Sequence, residues 1–173
     1  MNSLRTFSTR AAVAVAVLLG QASGFAADLG QPAPDVDLPG SAVAQKLSDL
    51  KGKVVYVDFW ASWCGPCKQS FPWMNDMQRK YGARGLQVVA INLDAKRGDA
   101  DQFLAQNPAT VALAFDSKGE SARRMGVKGM PTSLLVGADG KVLLVHQGFR
   151  NEDRTELEAK LVAALAASGG KTP

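Results

Sequence analysis

Val54-Val55-Tyr56-Val57-Asp58-Phe59-Trp60-Ala61-Ser62-Trp63-Cys64-Gly65-Pro66-Cys67-Lys68 contains both cysteines of the 173-residue chain. Its first half is an apolar, β-branched run of the kind that forms a buried strand. A tight turn follows, and the second half opens a helix expected over Gly65 to Lys80. The two thiols therefore fall at a strand-to-helix junction, two residues apart. At that spacing they can close a small ring and reopen it by thiol–disulfide exchange. A structural bridge gains most when it closes a long loop, and this one closes a very short one. The spacing argues for chemistry over stapling.

Exchange proceeds through the thiolate, so the first cysteine needs a lowered pKa. Cys64 is expected at the N-cap of the Gly65–Lys80 helix, where unpaired N–H groups and the helix dipole favour negative charge and bring the thiol to about 7. Cys67, one turn further in, is expected to be more buried and less ionised. Its role would be to attack Cys64 and release the reduced substrate, which requires a proton acceptor. Asp58 is the candidate, because a lone carboxylate in Val55-Tyr56-Val57-Asp58-Phe59-Trp60 is anomalous for a buried strand. Burial would raise its pKa toward neutrality, which suits a general acid/base. The competing reading of Asp58 is a strand-end carboxylate touching solvent. Half of a zinc site is a poor alternative for the cysteines, since such sites take about four ligands and the only other soft candidate is His146.

Outside this stretch, the length suits one well-buried domain. Met1 to Ala26 carries Arg5 and Arg10, no acidic residue, the apolar run Ala11 to Leu19, and Gly24-Phe25-Ala26. This is the layout of a secretory signal peptide (residues 1–26) cleaved after Ala26, which leaves residues 27–173 as the mature chain. Its apolar run is shorter than the roughly 20 residues of a spanning helix, which disfavours the alternative of an uncleaved membrane anchor. A soluble periplasmic or secreted protein is expected. The formal charge of +4 falls to +2 once the two arginines leave. No basic run or aromatic–basic interleaving remains, so nucleic-acid binding is disfavoured.

In chain order, Asp28 to Gly52 is rich in turn residues, with Val36 and Leu38 as a short edge strand and a helical turn at Leu47 to Leu50. Strands are expected at Lys53–Phe59, Leu86–Asn92, Val111–Phe115, Ser133–Val136 and Val142–His146. Ala138-Asp139-Gly140-Lys141 reads as a hairpin turn between the last two. Pro72 falls inside the helix that follows Cys67 and should kink it, and Gly82 stands as its stop. Further helices are expected at Asp99–Gln106, capped by Asp99, at Glu120–Met125, and at about Asn151–Ala167. Residues 168–173 read as a disordered tail. Together these elements give an α/β fold, a central mixed β-sheet flanked by helices.

Val57 to Lys68 closely resembles the active-site signature of thioredoxins. Asp58 stands where that family keeps its buried aspartate, and Pro72 at its helix kink. Met130-Pro131-Thr132 matches the family's cis-proline segment. The resemblance implies that Pro131 packs beside the two sulfurs and that the Met130 backbone pairs with an extended substrate segment. It also implies a substrate surface of Trp63, Gly65, Pro66, Met130 and Gly148. The export signal, the N-terminal extension and a central insertion at about Asp94 to Phe115 shift the match toward the exported TlpA/ResA-like branch, with a thioredoxin core over about 32–167. That branch implies no cofactor beyond the cysteine pair and protein disulfide substrates in the periplasm, such as apocytochrome c or copper-site precursors. It further implies a membrane thiol donor of the DsbD/CcdA kind, and monomer is the default state.

Three rivals are weighed against it. A peroxiredoxin needs a Pro-x-x-x-Thr-x-x-Cys loop, which the chain lacks before Cys64. A Sco-type copper chaperone has a longer cysteine spacing and a histidine where Lys128 and Met130 stand. A DsbA- or isomerase-like oxidant usually carries a histidine between its cysteines. Gly65-Pro66 lacks it, which points to a more reducing couple.

Overall fold

The computed structural model describes residues 27–169; the expected signal peptide and residues 170–173 lie outside the described residues. The strand that precedes the cysteines, β1 (Val54–Trp60), is buried along its whole length, which is why it reads as a continuous apolar run. It is the middle strand of five. The others are β2 (Leu86–Asn92), β3 (Ala112–Phe115), β4 (Thr132–Val136) and β5 (Val142–Gln147). The order across the sheet is β3-β2-β1-β4-β5. β1, β2 and β3 run parallel, whereas β4 lies antiparallel to both β1 and β5. A mixed central sheet results, as the sequence implies.

Side chains alternate along β1 and so divide the core into two layers. Val54, Tyr56 and Trp60 join Phe71, Trp73, Met74 and Met77 of α1 (Cys67–Tyr81), Phe103 of α2 (Arg97–Gln106) and Leu157 and Leu161 of α4 (Asp153–Ala167). Val55, Val57 and Phe59 join Val36, Leu38, Leu47 and Leu50 of the N-terminal segment and Ala122 of α3 (Glu120–Arg124). By the same alternation Asp58 points into the first layer, the one that holds both cysteines. Tyr81 at the end of α1 donates to Glu158 of α4 at 2.6 Å, with Lys80 pairing to the same oxygen at 3.1 Å.

Several boundaries differ from expectation. α1 starts at Cys67 with Pro66 as its N-cap, not at Gly65. Cys67 N–H donates to Cys64 O and Lys68 N–H to Gly65 O, so tight three-residue turns precede the α-helical ladder. Gly82 has helical dihedrals and continues into a short 3-10 turn; the left-handed residue that ends the path is Gly85, at φ +99°. α2 begins two residues earlier than expected, with Lys96 as N-cap, and Asp99 lies in its first turn, where the dipole favours acids. Val36 and Leu38 form no strand of the sheet. They flank a single bridge, Asp37 to Lys46, because Pro32, Pro34 and Pro39 remove the donors that a longer ladder needs. At the C-terminus Ser168 and Gly169 still donate to Ala164 O and Ala166 O. No helix of the described residues is long and apolar enough to cross a membrane.

Candidate active site

Cys64 and Cys67 are joined by a disulfide just beyond the C-terminal end of β1. The two sulfurs are not equivalent. Cys64 is 4% exposed and is flanked by the exposed Trp63, Gly65 and Pro66, whereas Cys67 has no exposure at all. A thiolate arriving from solvent therefore meets Cys64 first. Trp63 is 72% exposed, so its ring stands free beside Cys64. Trp60, by contrast, is wholly buried and packs against Phe71 and Phe103 with ring centroids 4.9 Å apart in both pairs. Of the two tryptophans only Trp63 is available as a wall of the substrate surface. The exposed Lys68 shares a cleft with Trp63, Asp99, Gln102 and Gln106.

Met130 packs against the cluster that contains both cysteines, although its chain position is sixty-odd residues away. The Met130–Pro131 peptide is cis, and Pro131 is buried. Pro131 O accepts from Gly148 N–H at 2.8 Å. Gly148 has a φ of +83°, a conformation that favours glycine. The glycine expected to line the substrate surface is thus bonded to the proline expected beside the sulfurs. Thr132 braces the same loop by donating to Gly129 O at 2.6 Å.

Asp58 is fully buried, which excludes the reading of a strand-end carboxylate in solvent. Ser133, directly opposite on β4, donates to Asp58 Oδ1 at 2.8 Å, while Oδ2 has no partner among the described residues. Burial pushes the Asp58 carboxyl up to about 7, against the opposing effect of the Ser133 hydrogen bond. The carboxyl is therefore poised to exchange a proton near neutral pH. Burial also pushes the neighbouring Tyr56 phenol far up, reinforced by the negative charge of Asp58.

Asp94, the first residue of the expected central insertion, is a buried clamp on the cysteine loop. Its carboxylate accepts from Ser62 N–H at 2.9 Å, from Ser62 Oγ at 2.9 Å and from Asn92 Nδ2 at 2.8 Å. These bonds hold the segment between β1 and Trp63 against the end of β2. Asp94→Ala is expected to cost about 2 kcal/mol of stability by stranding buried donors and to slow turnover by loosening the Cys64 loop. Urea denaturation and a disulfide-reduction assay check this, and unchanged values of both would show that other contacts hold the loop.

A disulfide between cysteines three positions apart, at the end of the central strand of a thioredoxin fold, defines a class, the thiol–disulfide oxidoreductases. Residues 28–161 match the Redoxin family model, and the chain belongs to that family. It is 33% identical over 132 residues to the thiol-disulfide oxidoreductase ResA of Bacillus thuringiensis subsp. konkukian, covering 75% of each chain. It is 30% identical over 124 residues to ResA of Bacillus subtilis, covering 72% of this chain and 69% of that one. Among solved structures, a Chlorobium tepidum protein assigned as the thiol:disulfide interchange protein DsbE is similar at 63% identity. Its TM-score is 0.77, with 80% of this chain and 98% of that one covered. The protein is a disulfide oxidoreductase.

Proposed function

We propose that the protein is exported and reduces disulfides of selected exported proteins. The observation that carries this reading is the asymmetry of the pair, with Cys64 at the rim beside Trp63 and Cys67 sealed beneath it. The Cys64 thiolate, favoured at the positive end of α1, attacks a client disulfide and holds one client sulfur as a mixed disulfide. Cys67 gives its proton to Asp58 and attacks Cys64, and the client departs as a dithiol carrying two electrons. Pro131 and Met130 present the extended client segment, with Trp63, Gly65, Pro66 and Gly148 as its surface. A reductant working in an oxidising compartment has to be recharged, which implies a membrane thiol donor of the DsbD/CcdA kind. The signal-like segment 1–26 supports export, and the ResA likeness supports thiol–disulfide exchange as the chemistry; a place in cytochrome c maturation is the role that the TlpA/ResA-like resemblance implies.

The test is the reduction potential of the Cys64–Cys67 couple, measured by equilibrating the mature protein with glutathione buffers. Without a histidine between the cysteines, a value near about −270 mV is expected. A value near about −120 mV would make the protein an oxidant instead, and the search would turn to proteins that gain disulfides.

A further inference from the structure

Asp58 has no exposed surface, so a proton that it takes from Cys67 has to travel through the protein to reach water. On one side its neighbour in the sheet is Ala90 of β2, a methyl group that carries nothing. On the other side the register sets Asp58, Ser133 and His146 side by side across β1, β4 and β5. Directly opposed residues project to the same face of a sheet, with Cβ atoms about 5 Å apart. This row leads outward. Asp58 is sealed, Ser133 is 1% exposed, and the His146 side chain is 25% exposed.

The groups facing this row from adjoining elements are polar as well. Tyr56 lies two residues from Asp58 on the same face of β1. Ser133 lies near enough to its phenol to oppose the rise in its pKa, though not in hydrogen-bond geometry, and the charge of Asp153 also acts on it. From α4, Asp153 Oδ2 stands 3.4 Å from His146 Nε2, within ion-pair reach but outside hydrogen-bond geometry. Arg154, next on α4, has its Nε buried and one terminal nitrogen 3.5 Å from Gln69 O. Asp58 Oδ2, Tyr56 OH, His146 Nε2 and Arg154 Nε have no hydrogen-bond partner among the described residues. Buried polar atoms left without protein partners are where bridging water resides.

We propose that Ser133, His146 and Asp153, with bridging water, form the route by which Asp58 exchanges protons with solvent. The proposal rests on the assignment of Asp58 as the proton acceptor. The Cys67 S–H bond breaks and its proton passes to the Asp58 carboxylate. The Cys67 sulfur bonds to Cys64, the bond from Cys64 to the client sulfur breaks, and the client leaves as a thiolate with that electron pair. Above pH 7 Asp58 then passes its proton by way of Ser133 to a ring nitrogen of His146. Asp153 stabilises the resulting imidazolium, which releases the proton to water. His146 touches neither cysteine nor client in this scheme and acts only through Asp58.

The test is a pH jump from 5 to 8.5 on the oxidised mature protein, following the infrared band of the protonated Asp58 carboxyl. Absence of the band from Asp58→Asn assigns it. His146→Gln is expected to slow its decay about tenfold, a modest share of what positioned proton transfer contributes, and millimolar imidazole is expected to restore the rate. Ser133→Ala, a second variant of different shape, is expected to slow it too. Decay of His146→Gln at the wild-type rate, or a slowed decay that imidazole does not restore, would overturn the route. If wild type shows no such band at pH 5, Asp58 is not neutral, and the underlying acid/base assignment fails instead.

Discussion

Cys64→Ala is expected to reduce disulfide turnover to the uncatalysed background, whereas Cys67→Ala should retain the first attack and stall after it. The difference follows from burial. The outer sulfur can be reached by a client and the inner one cannot, so removing the inner one leaves a mixed disulfide that nothing resolves. Non-reducing gels of Cys67→Ala should show client adducts that disappear with dithiothreitol, and Cys64→Ala should show none. Adducts formed by Cys64→Ala would reverse the assignment of the two sulfurs. Neither substitution should unfold the protein. The bridge spans a sequence separation of 3, and closing so short a loop stabilises the oxidised form by only about 2 kcal/mol. The loss is therefore chemical, and a circular-dichroism melt separates it from misfolding.

Asp58→Asn is expected to have the next largest effect, with two signatures of opposite sign. A positioned general base is worth about 10²-fold or more in rate, so release of client from the mixed disulfide should slow by about that factor. In wild type this rate should rise with pH through about 7, where Asp58 becomes a carboxylate, and the variant should lack the inflection. Stability moves the other way. The carboxyl is raised from 3.8 in its ordinary state to about 7 in the fold. Between those pH values the native chain retains a proton that the unfolded chain has released. Wild-type stability therefore falls as pH rises from about 4 to about 7 and levels off above, a loss of about 4 kcal/mol in all. The asparagine variant escapes this loss, so at pH 8 it should be the more stable protein. Urea denaturation of both across pH 4 to 8 checks this, and parallel curves would show that Asp58 is not held neutral.

The elements closest to the chemistry were the most legible in the sequence. Val54 to Lys68 carried the strand, the turn and the redox pair within one continuous run, and local periodicity is enough to place such elements. Asp58 stood out because a charge in an apolar strand violates that pattern. Helix starts were read less well, since Pro66 and Lys96 cap their helices without the side-chain bonds that mark an N-terminus. The role of Asp94 was not legible, because its partners Ser62 and Asn92 are supplied by the fold, and a polar residue after a strand looks the same whether it faces water or a buried loop.

The chain by itself determined the class of fold, the identity of the redox cysteines and the unusual carboxylate in the strand before them, because each is written in a short local pattern of residue types. Only the tertiary structure decided that Asp94 clamps the cysteine loop and that Met130 packs against the cysteine cluster. It alone set Ser133 beside Asp58 and His146 beside Ser133, because neighbours in a sheet are chosen by strand order and register, and residues 58, 133 and 146 share no local pattern that records this row.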